Sequence, residues 1–195
     1  MTARKIGIIG HGNVGAALER GIKRSGREVK AVDSDKQAIR DTAAWADTVV
    51  LAVPFGAVED VVRAAGPALD GKTVVDVTNA LDKQMNLALG FNTSGAEELQ
   101  KKVPKAKVVK AFNTVFAQHM DKGRLDGEPL TAFAAGDDTA AKADVLELER
   151  EIGFDAVDAG PLKNARLLEP LGYLNIQLGY GMKMGTQTGF RLLHP

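Results

Sequence analysis

Cysteine is absent from the 195-residue chain. That excludes disulfides, thiolate nucleophiles, zinc–thiolate sites and iron–sulfur ligation, and it fits a reducing compartment. No apolar run approaches the roughly 18–20 residues needed to cross a bilayer, and the strand-like stretch after Lys5 is too short for a signal-peptide core. Charge of one sign is not in excess either. The 25 Lys and Arg balance 25 Asp and Glu, and no polybasic run offers a footprint for nucleic acid. The three histidines, His11, His119 and His194, are scattered without the spacing of metal ligands. Together these absences predict a soluble, cytoplasmic protein with no metal, no nucleic-acid partner and no membrane association.

What is present is periodic. β-Branched runs alternate with helical patterns, the signature of βαβ units and a parallel sheet. Strands are expected at residues 5–9, 28–32, 48–53, 73–77, 107–111, 130–135 and 156–158. Val49-Val50-Leu51-Ala52-Val53 is continuously apolar, as in a strand covered on both faces. Helical spacing appears over 13–25, 57–65 and 139–152, the last opening on Asp137-Asp138-Thr139 and closing at Gly153. Trp45 is expected to pack the second helix onto the sheet. Between residues 79 and 103 the pattern weakens to a long loop with a short helix near 96–102. The expected class is therefore α/β: a Rossmann, doubly wound, mostly parallel sheet over residues 1–160. A short C-terminal helical, glycine-rich segment, 161–195, would pack on that domain or on a dimer partner. Gly172, Gly179, Gly181, Gly185 and Gly189 argue against one uniform helix there and point to tight packing against the sheet, a ligand or a second subunit.

Gly10-His11-Gly12-Asn13-Val14-Gly15 is a G-x-G-x-x-G that directly follows the first strand and opens the first helix, the context a dinucleotide fingerprint requires. Gly10 permits the sharp turn, Gly12 lets backbone approach a pyrophosphate, and Gly15 lets helix and strand lie close. His11 then flanks the pyrophosphate, and the helix N-terminus faces it with unpaired N–H groups. The second strand ends at Asp33, eighteen residues past Gly15. An acidic residue there hydrogen-bonds the adenosine ribose and repels a 2′-phosphate, which favours NAD over NADP; capping of the next helix is the alternative. Ser34 and Lys36 are candidate phosphate contacts, and Arg27 or Lys30 candidate neighbours. Ligands of open α/β sheets lie beyond the carboxyl ends of the strands, so Val53, Pro54, Thr78 and Asn79 should line the cofactor. Asn113 and Thr114, at the next strand end, are candidates for the carboxamide or substrate, with helix capping by Asn113 as the alternative.

These residues resemble the coenzyme F420 (deazaflavin)-dependent NADP reductase family, within the 6-phosphogluconate and 3-hydroxyisobutyrate dehydrogenase superfamily. The resemblance rests on Ile6-Gly7-Ile8-Ile9-Gly10, Val50-Leu51-Ala52-Val53-Pro54, Gly71-Lys72-Thr73-Val74-Val75-Asp76-Val77-Thr78-Asn79, Lys110-Ala111-Phe112-Asn113-Thr114 and, in the tail, Gly160-Pro161-Leu162, Ala165-Arg166 and Glu169. It implies a homodimer and direct hydride transfer between nicotinamide C4 and a second redox ring, coenzyme F420 or a flavin. Where NADP-using members carry a Gly-Ser-Arg-like segment, this chain has Val32-Asp33-Ser34-Asp35.

Two other functional classes stand beside that one. A small-substrate dehydrogenase or imine reductase would need a general acid, for which Lys163 is a candidate and a solvated lysine the alternative. A non-enzymatic NAD(P)-binding sensor would need only the fingerprint. Arg166 and Glu169, three apart on a helix, are spaced to pair with each other. Met182, Met184 and Phe190 are candidates for a ring pocket or for core or interface packing.

Overall fold

The computed structural model describes residues 4–193, so His194 lies outside the described residues. Five parallel strands, β1 (Ile6–Ile9), β2 (Val29–Val32), β3 (Thr48–Leu51), β4 (Thr73–Asp76) and β5 (Lys107–Lys110), lie in the order β2-β1-β3-β4-β5. A small hairpin, β6 (Arg124–Leu125) with β7 (Glu128–Pro129), stands apart from the sheet. β8 (Thr131–Gly136) joins β5 antiparallel, and β9 (Asp155–Asp158) runs parallel to β8 at the far edge. The result is a mostly parallel seven-stranded Rossmann-like sheet.

Its rows show why both faces are covered. Ile8, Val50, Val75 and Val109 are in register across four strands. They pack with Leu18 and Ile22 of α1 (Asn13–Arg24) and Val145 and Leu148 of α5 (Thr139–Ile152). The adjacent row, Gly7, Val49, Val74 and Val108, faces the other way, because successive side chains of a strand alternate. It meets α2 (Lys36–Trp45), α3 (Val58–Ala65) and α4 (Gly95–Lys102) through Ile39, Val61 and Leu99. Gly7 is small because α2 crosses there: a Cβ would stand 2.9 Å from the Thr42 side chain. Each such aliphatic side chain, fully buried, contributes about 1.5–3 kcal/mol.

Two expectations need correction. β3 stops at Leu51, two residues early, so Val53 and Pro54 belong to the turn before α3. The tail forms a continuous helix, α6 (Ala165–Ile176), which runs into a π turn at Gln177–Gly181. Gly172 does not break α6. It is needed for close approach, since a Cβ there would lie 2.6 Å from Asn79 Oδ1 and 2.7 Å from the Asn113 carbonyl. The chain then returns along β8, where Thr131 N donates to Phe190 O at 2.9 Å and Leu192 N to Thr131 Oγ1 at 2.8 Å.

Candidate functional site

The glycine loop sits where the strand order reverses, between the carboxyl ends of β1 and β3. Gly10 adopts φ +99°, and a Cβ on it would meet Ala52 O at 2.3 Å. A Cβ on Gly15 would stand 1.9 Å from Gly10 O. A Cβ on Gly12 would meet nothing within 4 Å. The chain's own packing therefore demands two glycines, while the third borders open space. Helix α1 begins beside that space with no side-chain cap and no acidic residue in its first turn. Its first N–H groups and positive dipole end suit an anion.

A cleft of about 670 Å³ opens from this loop. Gly10, His11 and Gly12 form one side, Val53 and Pro54 line it beside the loop, and Ile39, Val61 and Ala64 supply an apolar wall. Asp33, Ser34 and Lys36 line it as well. Asp33 Oδ1 accepts from the backbone N–H of His11 at 3.1 Å. The capping of α2 falls to Asp35, which accepts from Ala38 N at 2.7 Å. Arg27 and Lys30 are not brought to the cleft: Arg27 pairs with Glu151 at 3.0 Å, and Lys30 stands 4.2 Å from the centre of the Trp45 ring. The His11 ring lies 2.8 Å from Glu19 Oε2, and Lys23 with His11 holds the Glu19 carboxyl below its usual range against partial desolvation.

On the other side of the α1 N-terminus lies a smaller hollow of about 240 Å³, reaching from Asn13 and Val14 to Asn79, Asn113 and Thr114. Gly172 and Asn175 of α6 close it. The two asparagines are bonded reciprocally: Asn79 Nδ2 donates to Asn113 O at 3.0 Å, and Asn113 Nδ2 to Asn79 Oδ1 at 2.9 Å. Asn113 Nδ2 also donates to Leu168 O at 2.8 Å. Both amide hydrogens of Asn113 are thus engaged, which leaves its buried Oδ1 as an acceptor without a partner. Thr114 Oγ1 and Thr78 Oγ1 are buried and unpartnered too. A buried polar atom left unsatisfied costs about 1–3 kcal/mol, which a ligand's hydrogen bonds would offset. No helix begins at Asn113, so it is not a cap; Phe112 turns the chain there at φ +61°.

Among the described residues no Asp, Glu, Lys or His lines this hollow, although the phenol of Tyr180 does. Lys163 is not brought to it, but lies in a separate surface cleft with Glu97, Lys101 and Asp137. His119 is buried and bonded to Thr186 O at 3.0 Å. Met182 and Met184 are 72% and 60% exposed, so neither belongs to the core.

Sequence reasoning missed a buried ionic cluster behind the smaller hollow. Lys110 of β5 lies 3.0 Å from Asp76 of β4 and 2.9 Å from Glu169 of α6, all three at most 1% exposed. Burial drives the ammonium pKa down, but Asp76 and Glu169 more than reverse this, so it stands above the usual lysine value. The signal was available in part, since Asp76 and Lys110 are charges closing strands otherwise buried on both faces. Glu169 does not pair with Arg166, whose guanidinium makes a two-pronged bond to Glu97 at 2.9 and 2.7 Å. Both side chains reach across to α4 instead.

Residues 5–44 and 37–80 match the family described as NADP oxidoreductase, coenzyme F420-dependent. The F420-dependent NADP reductase of Methanocaldococcus jannaschii is 31% identical over 160 residues, 78% of this chain and 70% of that protein. Rat (Rattus norvegicus) metalloreductase STEAP3 is 29% identical over 181 residues; the match covers 87% of this chain but only 36% of that protein's length. A crystal structure from Arthrobacter sp. FB24, assigned as an F420-dependent NADP reductase, superposes with a TM-score of 0.90 at 30% identity, covering 98% of this chain and 100% of the other. With its fold, its glycine loop and these likenesses, the chain belongs to the F420-dependent NADP oxidoreductase family.

Proposed function

We propose that the chain is an oxidoreductase that holds a nicotinamide dinucleotide across both hollows and passes a hydride to a second planar redox ring, a deazaflavin or a flavin. The observation that carries this is the character of the smaller hollow, with orphaned hydrogen-bonding atoms on Asn113 and Thr114 and, among the described residues, no Asp, Glu, Lys or His in its lining; Tyr180, the phenol at its rim, is 63% exposed. A carbonyl reduced to an alkoxide needs a proton from a positioned acid, whereas a delocalised ring absorbs the added charge itself, leaving the protein to position the two partners. Lys163, the candidate acid of a dehydrogenase, lies in another cleft. The Methanocaldococcus jannaschii relative, an F420-dependent NADP reductase, points the same way.

When bound, the dinucleotide supplies a hydride from nicotinamide C4. The chain does the rest. Backbone at Gly12 and the first turn of α1 receive the pyrophosphate. Asp33, already oriented by the His11 N–H, accepts from the adenosine ribose and repels a 2′-phosphate, which selects NAD over NADP. Asn113 Oδ1 accepts from the carboxamide. Exposed Leu167 and Leu174 on α6, with Met182 and Met184 beyond it, supply apolar surface for a homodimer, which sedimentation velocity would register as twice the 20.7 kDa chain mass.

Stopped-flow mixing with NADH and, in turn, a deazaflavin, FMN, a 2-keto acid and a cyclic imine tests the reading. Oxidation of NADH is expected with a deazaflavin or a flavin, unaffected by Lys163→Met. Turnover confined to the keto acid or imine and lost in Lys163→Met would establish the dehydrogenase reading instead. Tight binding with no acceptor reduced would favour a sensor.

A further inference from the structure

The Lys110–Asp76–Glu169 cluster borders neither hollow, yet it is bonded to Thr78, the chain neighbour of Asn79, which lines the smaller one. Its hydrogen bonding is complete. The three ammonium hydrogens of Lys110 go to Asp76 Oδ2 at 3.0 Å, to Glu169 Oε1 at 2.9 Å and to the Thr78 carbonyl. Asp76 Oδ1 accepts from Thr78 N at 2.9 Å. Glu169 accepts from Gly95 N at 2.9 Å and from Ala96 N at 3.2 Å. Thr78 is therefore gripped at both its backbone N–H and its carbonyl by charged partners. One residue on, Asn79 is tied to Asn113, and Asn113 to the carbonyl of Leu168, next to Glu169 on α6.

Stability alone accounts poorly for three buried charges, because well-packed apolar residues often serve as well or better. A complete set of charge-assisted hydrogen bonds supplies something apolar contact does not, namely fixed distances between the elements it joins. Here those elements are the ends of β4 and β5, the start of α4 and the inward face of α6. We propose that Glu169, acting through Lys110 and Asp76, is a positioning residue that sets the height of the Asn79–Asn113 pair and so the place of the nicotinamide ring against its hydride partner. The proposal rests on the reading above, in which the nicotinamide enters the smaller hollow.

The test separates the two halves of the cofactor. Wild type and Glu169→Gln are titrated calorimetrically with ADP-ribose and with NADH, and single-turnover hydride transfer to a deazaflavin is timed. In Glu169→Gln the affinity for ADP-ribose is expected to stay unchanged. The extra affinity that the nicotinamide half confers falls about tenfold, as for a lost hydrogen bond. Hydride transfer slows by about 100-fold, the effect of a misplacement near 1 Å. Should Glu169→Gln not fold, Glu169→Asp keeps the charge while shortening its reach, and the same split between ligands is expected.

A folded variant with wild-type nicotinamide affinity and wild-type transfer rate overturns the proposal. So does failure of both variants to fold, which would make the cluster purely structural. A wild type that binds ADP-ribose and NADH equally, or neither, contradicts the functional reading itself and takes the proposal with it.

Discussion

The glycine loop and the polar knot of Thr78, Asn79, Asn113 and Glu169 flank the same helix N-terminus, and they are built in different ways. The loop is local: six consecutive residues whose shape comes from Gly10 and Gly15 fitting their own backbone, with Gly12 left facing open space. The knot is assembled from afar. Its bonds span 34 residues between Asn79 and Asn113, 55 between Asn113 and Leu168, and 74 between Gly95 and Glu169. In the loop, then, Gly15 serves the fold alone and Gly12 only the surface offered to a ligand. In the knot Asn79 and Asn113 do both, so there stability and positioning are expected to move together.

The largest expected effect sharpens the contrast within the loop. Gly15→Val forces a Cβ to 1.9 Å from a backbone oxygen and should cost about 4 kcal/mol or more. Gly12→Val should change stability by less than about 1 kcal/mol yet abolish dinucleotide binding. Thermal melts and calorimetry check both, and a Gly12→Val protein that melts like Gly15→Val would break the comparison. In the knot, Lys110→Met leaves two buried carboxylates uncompensated and should cost about 3–5 kcal/mol by urea titration. A negligible loss would show that the cluster is not held as an ion network. At the exposed end of the larger cleft, Asp33→Ala should narrow the NADH/NADPH affinity ratio by about tenfold, roughly 1.4 kcal/mol, with the melting temperature unmoved. Equal ratios in both proteins would remove Asp33 from cofactor selection.

The smallest effect comes from a buried acid that has no network. Glu149 of α5 is fully buried, both its oxygens lack partners, and burial pushes its carboxyl pKa well up, with Arg150 opposing. Its folded pKa exceeds its unfolded one, so the stability it lends is present below the unfolded pKa and is lost as pH rises toward the folded pKa. Glu149→Gln should therefore stabilise the protein more at about pH 8 than at about pH 5 in denaturant titrations. A pH-independent difference would mean that Glu149 is ionised in the folded protein as it is in the unfolded chain.

The same division between local and distant contacts explains what the sequence made legible. β1, β4 and β5 read directly from continuous β-branched runs, since both faces of those strands are covered. The start of α5 reads from Asp138, whose side chain accepts from Ala141 N at 2.8 Å, and its end from Gly153 at φ +122°. The fingerprint and Asp33 are equally local. The β6–β7 hairpin went unread although Asp126-Gly127, at φ +51° and +84°, is a strong hairpin turn signal. The tail's glycines read both as interruptions of a helix and as a sign of tight packing; at Gly172 the packing is what they serve, and only Asn79 and Asn113 opposite decide it. Glu169 offered Arg166 as a neighbour one turn away, while its true partner stands on a central strand. Pairings of that kind depend on which elements the fold brings together, and periodicity carries no record of them.

The most direct test of the central claim is calorimetric titration of the purified chain, wild type and Gly12→Val, with NADH and NADPH. One dinucleotide is expected per chain, NADH bound more tightly than NADPH, with no binding by a Gly12→Val protein that melts like wild type. Absence of binding to either nucleotide, or binding that Gly12→Val leaves intact, would contradict that claim.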